Sequence, residues 1–367
     1  MKIVCSKSDL FNGVQIVSKA VPTNTTMTIL ECILFQAQED CIKLTANDTE
    51  IGIETTINGT ILEKGIVALE AKMILDVVRK LPDKDITIES DNNFNTTISC
   101  GKLKFDILGK SGEDFTNLPK IDKSDKVVIS QFTLKEMIRK TIFSISMNDN
   151  NKIMSGIHFI IERDTLKMTS LDGHRISICK VQLKDTYEQI KEVIIPGKTL
   201  SEISKIINGD AESNICLYLE KNYIMFEFDQ TIVVSRLIEG NYFNVNKMIS
   251  SNYETKLVIN KKELYDCIDR SLLFSKEGNK KPIIITVTDG SLQLEVKSPL
   301  GSMDEQIEIN KQGSDIRIGL NPKFMSDALK VIDDEEISLF FMNAKAPCYI
   351  KDEGENYIYM ILPVNLS

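Results

Sequence analysis

Ser8–Val21 (SDLFNGVQIVSKAV), Thr133–Ser146 (TLKEMIRKTIFSIS) and Asn260–Ser275 (NKKELYDCIDRSLLFS) carry apolar residues at the i, i+3, i+4 spacing of one helix face. Leu10, Leu134 and Leu264 hold the same place in each stretch, at offsets of 124 and 130 residues. A period of that length means that one structural unit is written more than once, and the period decides the fold before any single residue does. Ser8 and Asn260 are expected to cap two of these helices, because a short polar side chain accepts from an unpaired N–H of the first turn.

Working outward, a second helical stretch follows about 62 residues after the start of each first one: Glu70–Pro82, Pro196–Asn208 and Asn321–Ile332. Pro196 and Pro322 stand at helix starts, where a missing N–H costs nothing. Alternating apolar segments lie between the helices, with polar turns between them. They are Ile33–Ala37 with Ile42–Ala46 around Glu39-Asp40, Ile157–Ile161 with Leu166–Ser170 around Arg163-Asp164, and Ile283–Thr288 with Leu292–Lys297 around Asp289-Gly290-Ser291. Further strands follow each second helix at Asp85–Ser90, Asn214–Glu220 and Glu336–Phe341. The expected fold class is therefore α+β, with three similar domains of two helices and antiparallel sheets. Polar linkers place them at 1–122, 127–250 and 255–367.

Composition excludes several functions. Eight cysteines are scattered without a Cys-x-x-Cys pair, so neither a disulfide framework nor a zinc cluster is expected, and the thiols read as reduced. No phosphate-cradling glycine loop is present, and no cofactor or metal is expected. There are two histidines, His158 and His174; His174 has no second histidine nearby in sequence and nothing to orient it as a base, so an active site is not expected. Met1-Lys2-Ile3-Val4-Cys5 enters strand-like alternation without a signal core, and no apolar run approaches the ~18 residues of a membrane span, so a cytoplasmic protein is expected. A formal charge of −9 argues against electrostatic adhesion to nucleic acid, which normally shows as a basic domain.

Several motifs now fall into place on the threefold repeat. Leu171-Asp172-Gly173-His174-Arg175-Ile176 resembles the Thr-Asp-Gly-His-Arg-Leu stretch of the bacterial DNA sliding clamps, the beta subunits of the replicative polymerase. Met360-Ile361-Leu362-Pro363-Val364-Asn365-Leu366 resembles that family's C-terminal ending. Arg79-Lys80-Leu81-Pro82, Phe115-Thr116-Asn117-Leu118, Ile238-Glu239-Gly240 and Asn321-Pro322-Lys323-Phe324 match further short motifs in the same order. The resemblance covers the whole chain. It implies a non-enzymatic head-to-tail homodimer, a ring of six domains whose helices line a hole for duplex DNA. Such a ring holds DNA topologically, so only its lining needs positive potential. Consistent with that, the six helical stretches together carry +5, and the remaining residues −14.

The resemblance also implies sites. The DNA-facing positions would be Asn24, Lys72, Arg79, Lys80, Arg139, Lys140, Lys198 and Lys205, and the dimer contacts Phe105 and Ile107 against Leu272 and Leu273. Polymerase, clamp loader and repair proteins would dock through short peptides in a cleft between the second and third domains. Its residues would be Met154, Leu171, Gly173, His174, Arg175, Ile176, Phe243, Lys247, Met248, Asn321, Phe324, Pro347, Met360, Ile361, Leu362, Pro363 and Val364. Methionine-rich walls accept varied apolar anchors, and Arg175 and Asn321 would fix the peptide's direction. The sequence departs from the family at Asn24, Asn151 and Asn365, where arginine is usual, and at Phe243, in place of a proline. The last change implies a narrower aromatic subsite.

Two other readings stand beside this one. A metal-dependent nuclease needs converging carboxylates, and Asp333-Asp334-Glu335-Glu336 is the densest acidic run, although it follows a helix as a solvated turn would. Asp48 and Asp172 hold matching repeat positions, but Asp172 belongs to the turn around Gly173, which itself reads as a tight strand connection. A repeat scaffold without DNA contact is the third reading, and the segregated charge weighs against it.

Overall fold

The computed structural model describes residues 1–38, 40–147, 151–274 and 282–365. Glu39 of the first expected turn, Ser275 of the third helical stretch and Leu366 of the C-terminal motif lie outside the described residues. Among the described residues the helices are α1 (Lys7–Val17), α2 (Ala71–Lys80), α3 (Gln131–Thr141), α4 (Gly197–Ile206), α5 (Lys261–Ser271) and α6 (Pro322–Lys330). They come in pairs, one pair per repeat. Short 3-10 turns at Ser18–Ala20, Ile142–Ser144 and Leu272–Phe274 extend α1, α3 and α5 in turn.

The helix starts repeat more strictly than the sequence alone shows. The cap of α1 is Ser6, not Ser8: its hydroxyl accepts from Asp9 N–H at 3.0 Å. Ser130 accepts from Thr133 N–H at 3.1 Å, and Asn260 accepts from Glu263 N–H at 3.1 Å. Ser6, Ser130 and Asn260 are themselves separated by the same 124 and 130 residues as the leucines. Ser8 fails as the cap because α1 starts two residues earlier than such a cap requires, at Lys7, leaving Ser8 inside it. The buried face of each first helix follows the expected spacing, with Leu10, Val14 and Val17 on α1 and Leu264, Cys267 and Ile268 on α5. Gly13 lets α1 lie directly on strand Ile51–Ile57, since a Cβ there would come within 2.4 Å of Ile57 Cγ2.

Among the described residues all strand pairs are antiparallel, and the sheets do not respect the repeats. One eight-stranded sheet joins first-repeat strands to second-repeat strands by pairing Ile51–Ile57 with Thr231–Arg236. A seven-stranded sheet joins the second repeat to the third by pairing Arg175–Pro196 with Tyr357–Ile361. The described chain accordingly divides into two compact units, Met1–Thr133 with Glu202–Leu237, and Leu134–Ser201 with Ile238–Ser367. The middle repeat contributes to both. In that repeat, extended backbone runs unbroken from Gly156 to Leu171, through the expected turn at Arg163-Asp164. Arg163 takes a left-handed φ of 55°, where the register against Arg175–Pro196 slips.

The cysteines are free, and six are buried. Desolvation pushes the Cys5 and Cys267 thiols up to about 12, raises Cys179 to about 11 and moves Cys348 upward as well. Only a thiolate is alkylated at a useful rate. At about pH 8, iodoacetamide is therefore expected to label half-buried Cys41 and Cys216 first and Cys348 only on unfolding. Peptide mass mapping over time checks this, and equal rates at Cys41 and Cys348 would contradict the packing.

Candidate functional site

The site is built on one strand start. Asp172 Oδ1 accepts from the N–H groups of His174 (3.0 Å) and Arg175 (3.2 Å). Gly173 completes this turn at φ 88°, a backbone conformation that only glycine takes at little cost. The strand that follows pairs Ile176 with Leu171 on one side and with Met360 on the other. Strand alternation sets Ile176, Ile178, Ile358 and Met360 on one face, where they pack with Leu171, Val245, Phe340 and Tyr349. Half-buried Met154, Phe243 and Leu362 border that cluster without covering it. What remains open is a cleft of about 280 Å³, lined by Met154, Leu171, Gly173, Arg175, Ile176, Phe243, Met248, Pro347, Met360 and Leu362.

Other residues expected at the cleft stand elsewhere. Ile361, one step along its strand, points to the opposite face and packs with the third-repeat core. His174 is exposed, its ring stacked 6.3 Å from that of Phe324. The Asn321 side chain accepts from Lys323 N–H at 2.9 Å and so caps α6. Lys247 is exposed on the turn Val245–Lys247. Beyond the strand, Leu362 N–H donates to His174 carbonyl (2.9 Å) and Val364 N–H to Gly319 carbonyl (2.8 Å), which fixes the backbone around Pro363.

Arg175 lines the cleft and is also tied into the surrounding structure. Its Nε donates to Asp172 Oδ2 at 2.9 Å, one Nη to Asp327 Oδ2 at 2.8 Å, and the other Nη to the Phe143 carbonyl at 2.5 Å. The guanidinium also lies 4.4 Å from the Phe324 ring centre. Three of its five N–H donors are thus held within the chain, so Arg175 braces the cleft that it also lines. Sequence reasoning missed Asp327, whose only signal was its place one turn beyond Phe324 on α6. It also missed Tyr242, which meets Phe243 edge-on at 5.9 Å and stacks on His158 at 4.5 Å. Those contacts join a loop to a strand, and no periodicity announces them. His158 Nε2 lies 2.8 Å from Glu192 Oε1, and burial depresses the imidazole pKa despite that carboxylate.

The charged helix positions divide into two groups. Lys72, Arg79, Lys80, Lys198 and Lys205 are exposed, as is Asn24; Arg79 and Lys205 meet Asp76 and Glu202 on their own helices. Arg139 and Lys140 are half-buried and meet Asp333 at 2.7 and 3.5 Å. The acidic run is thus occupied in part by structure, with Asp334 accepting from the Tyr357 hydroxyl at 2.8 Å. Among the described residues, no three His, Cys, Asp or Glu side chains gather as a metal site would require. Nor is any helix long and apolar enough to cross a membrane. Phe105 and Ile107 are half-buried on strand Leu103–Leu108, Leu272 is half-buried, and Leu273 is 68% exposed.

A threefold α+β repeat whose sheets run on from one repeat to the next, with an apolar cleft at one such junction, defines a clamp-fold binding protein. Family models agree: the N-terminal, central and C-terminal domains of the DNA polymerase III beta subunit match residues 1–119, 128–244 and 246–365. The beta sliding clamp of Staphylococcus aureus is 34% identical over 357 residues, covering 94% of each chain, and that of Staphylococcus epidermidis 32% identical over 99% of each. A DNA polymerase III beta subunit of Eubacterium rectale has 58% identity and a TM-score of 0.97, covering 100% of this chain and 99% of its own. The Bacillus subtilis DNA polymerase sliding clamp follows at 31% and 0.96, with full coverage of both. The chain belongs to the DNA polymerase III beta-subunit family, and is a non-catalytic processivity clamp of replication.

Proposed function

We propose that two copies close head to tail into a ring around duplex DNA, each organised as domains 1–122, 127–250 and 255–367, in the bacterial cytoplasm. The observation that carries this is a joint used twice and left open once. The last strand of the second repeat, Thr231–Arg236, pairs with Ile51–Ile57 of the first, and the last strand of the third, Tyr357–Ile361, pairs with Arg175–Pro196 of the second. The corresponding last strand of the first repeat, Leu103–Leu108, is a sheet edge. So is Gly301–Glu308, the third repeat's counterpart of Ile51–Ile57. Two open edges of matching kind on one chain call for a second copy, and a heterologous joint of this sort either closes a ring or grows a filament. Phe105 and Ile107 lie on the first edge. Leu272 and Leu273 follow α5 in the repeat that carries the second.

Within that ring the exposed Lys72, Arg79, Lys80, Lys198 and Lys205 face DNA, with Asn24 a neutral position beside them, while Arg139 and Lys140 serve DNA less because Asp333 holds them. An acidic protein gains little from counterion release, so retention is topological. Loaded onto closed circular DNA, the protein should stay, and linearising the circle should release it. Persistence on linear DNA with free ends would defeat the reading.

The cleft takes short peptides of the polymerase, clamp loader and repair proteins, with Leu and Phe-like anchors against Ile176, Met248, Met360 and Leu362. A few anchors carry most of such an interface, so Met360→Ala should cost about 1–3 kcal/mol, roughly 5- to 150-fold in affinity. Phe243→Pro should widen the aromatic subsite and favour bulkier anchors. Titration of a labelled Gln- and Leu-Phe-containing peptide reads both changes. Wild-type affinity in both variants would remove the cleft assignment.

A further inference from the structure

We infer that Asp327, which does not line the cleft, is a positioning residue for peptide binding, acting through Arg175. This rests on the peptide reading of the cleft given above. Asp327 sits on α6 in the third repeat, and Arg175 begins a strand of the second. Their carboxylate–guanidinium bond of 2.8 Å connects the two repeats that supply the cleft walls, within one compact unit. Arg175 carries the same tie onward to Asp172, which shapes the Gly173 turn, and to the carbonyl of Phe143. Side-chain exposures of 10% for Arg175, 15% for Asp172 and 12% for Asp327 keep water from competing for these bonds. The remaining Asp327 oxygen accepts from Lys323 Nζ at 2.5 Å, on the exposed side of α6.

The mechanical consequence follows from the strand. Gly173 and Ile176 flank Arg175 and line the cleft, and Arg175 and Ile176 pair directly with Ile361 and Met360. Displacing the guanidinium therefore moves the strand start that forms one wall, whereas α6 stays anchored by Met325 and Leu329 in the third-repeat core. Asp327 sets the distance at which that wall stands. A preorganised wall saves the ligand the cost of ordering it.

The test is peptide affinity of the full-length protein, measured for the folded fraction. Asp327→Asn keeps the shape and removes the charge, and should weaken binding about tenfold, a size typical of coupling through a packed network. Lys323→Ala, which removes the outer partner, should stay within about twofold of wild type. If Asp327 works through Arg175, then Asp327→Asn should add nothing further in an Arg175→Met background, where the cation is gone. An Asp327 that merely stabilised the fold would lower hydrogen-exchange protection around Arg175–Pro196 and leave the affinity of folded molecules unchanged. Unchanged affinity in Asp327→Asn, with Met360→Ala still weakened, overturns this inference and spares the cleft. Unchanged affinity in both overturns the two together. Fully additive losses in the double variant would also overturn the route through Arg175.

Discussion

Ile107→Asp combined with Leu273→Asp is expected to convert the protein from a dimer of twice 41.4 kDa to a monomer, and to abolish its retention on circular DNA. The wild-type side chains are half-buried and 68% exposed in the single chain, so neither change disturbs a core. In the proposed joint each places a carboxylate in apolar surroundings without a partner. Even ~4 kcal/mol in total for that burial weakens dimerisation about 1000-fold. Leu62→Asp is the control, an apolar residue 56% exposed on the edge strand Thr60–Glu63, away from both proposed contact edges. Light scattering at micromolar concentration separates the outcomes. A double variant that remains dimeric would place the joint elsewhere, and a monomeric wild type would end the ring proposal.

The second large effect concerns Arg175→Ala. Removing the guanidinium leaves Asp172 and Asp327 largely buried without their shared cation, and discards its contact with the Phe324 ring. Breaking a buried pair by deleting one partner typically costs about 3–5 kcal/mol; Asp172 loses its cation here, whereas Asp327 keeps Lys323. The loss should be local, in the unit that contains the seven-stranded sheet. A global melting temperature is poorly defined for a chain of several units, so hydrogen exchange is the better measure. A 3 kcal/mol loss corresponds to amides of Arg175–Pro196 and Tyr357–Ile361 exchanging roughly 150-fold faster, while Ile51–Ile57 keeps its protection. Wild-type protection in the first two strands would mean that the ion pairs contribute little.

The sequence by itself determined the repeated unit. Helical spacing around Leu10, Leu134 and Leu264 is local information, since one face of each helix must be apolar wherever the helix finally packs. The capping position is equally local, though it was legible only to within two residues: Ser6 and Ser8 are both short, polar and near the helix start, and the hydrogen bond to Asp9 decides between them. The family motifs brought the cleft residues together because resemblance carries tertiary information that periodicity lacks.

Only the tertiary structure decided how those residues share their work. The cleft walls come from separate stretches around Met154, Leu171, Phe243, Pro347 and Met360, and no spacing rule relates them. Ile361 belongs to the core side because strand alternation reverses at every residue, so a motif read as a block assigns it to the wrong face. Arg175 reads as a ligand-facing cation in one dimension, and only the fold adds its bracing part, through Asp172, Asp327 and the Phe143 carbonyl. The division of the middle repeat between two compact units is likewise invisible in the chain. It arises because backbone hydrogen bonds pair Thr231–Arg236 with Ile51–Ile57, and Arg175–Pro196 with Tyr357–Ile361, between stretches far apart in the sequence. Backbone pairing carries no side-chain code, and so it is written only in three dimensions.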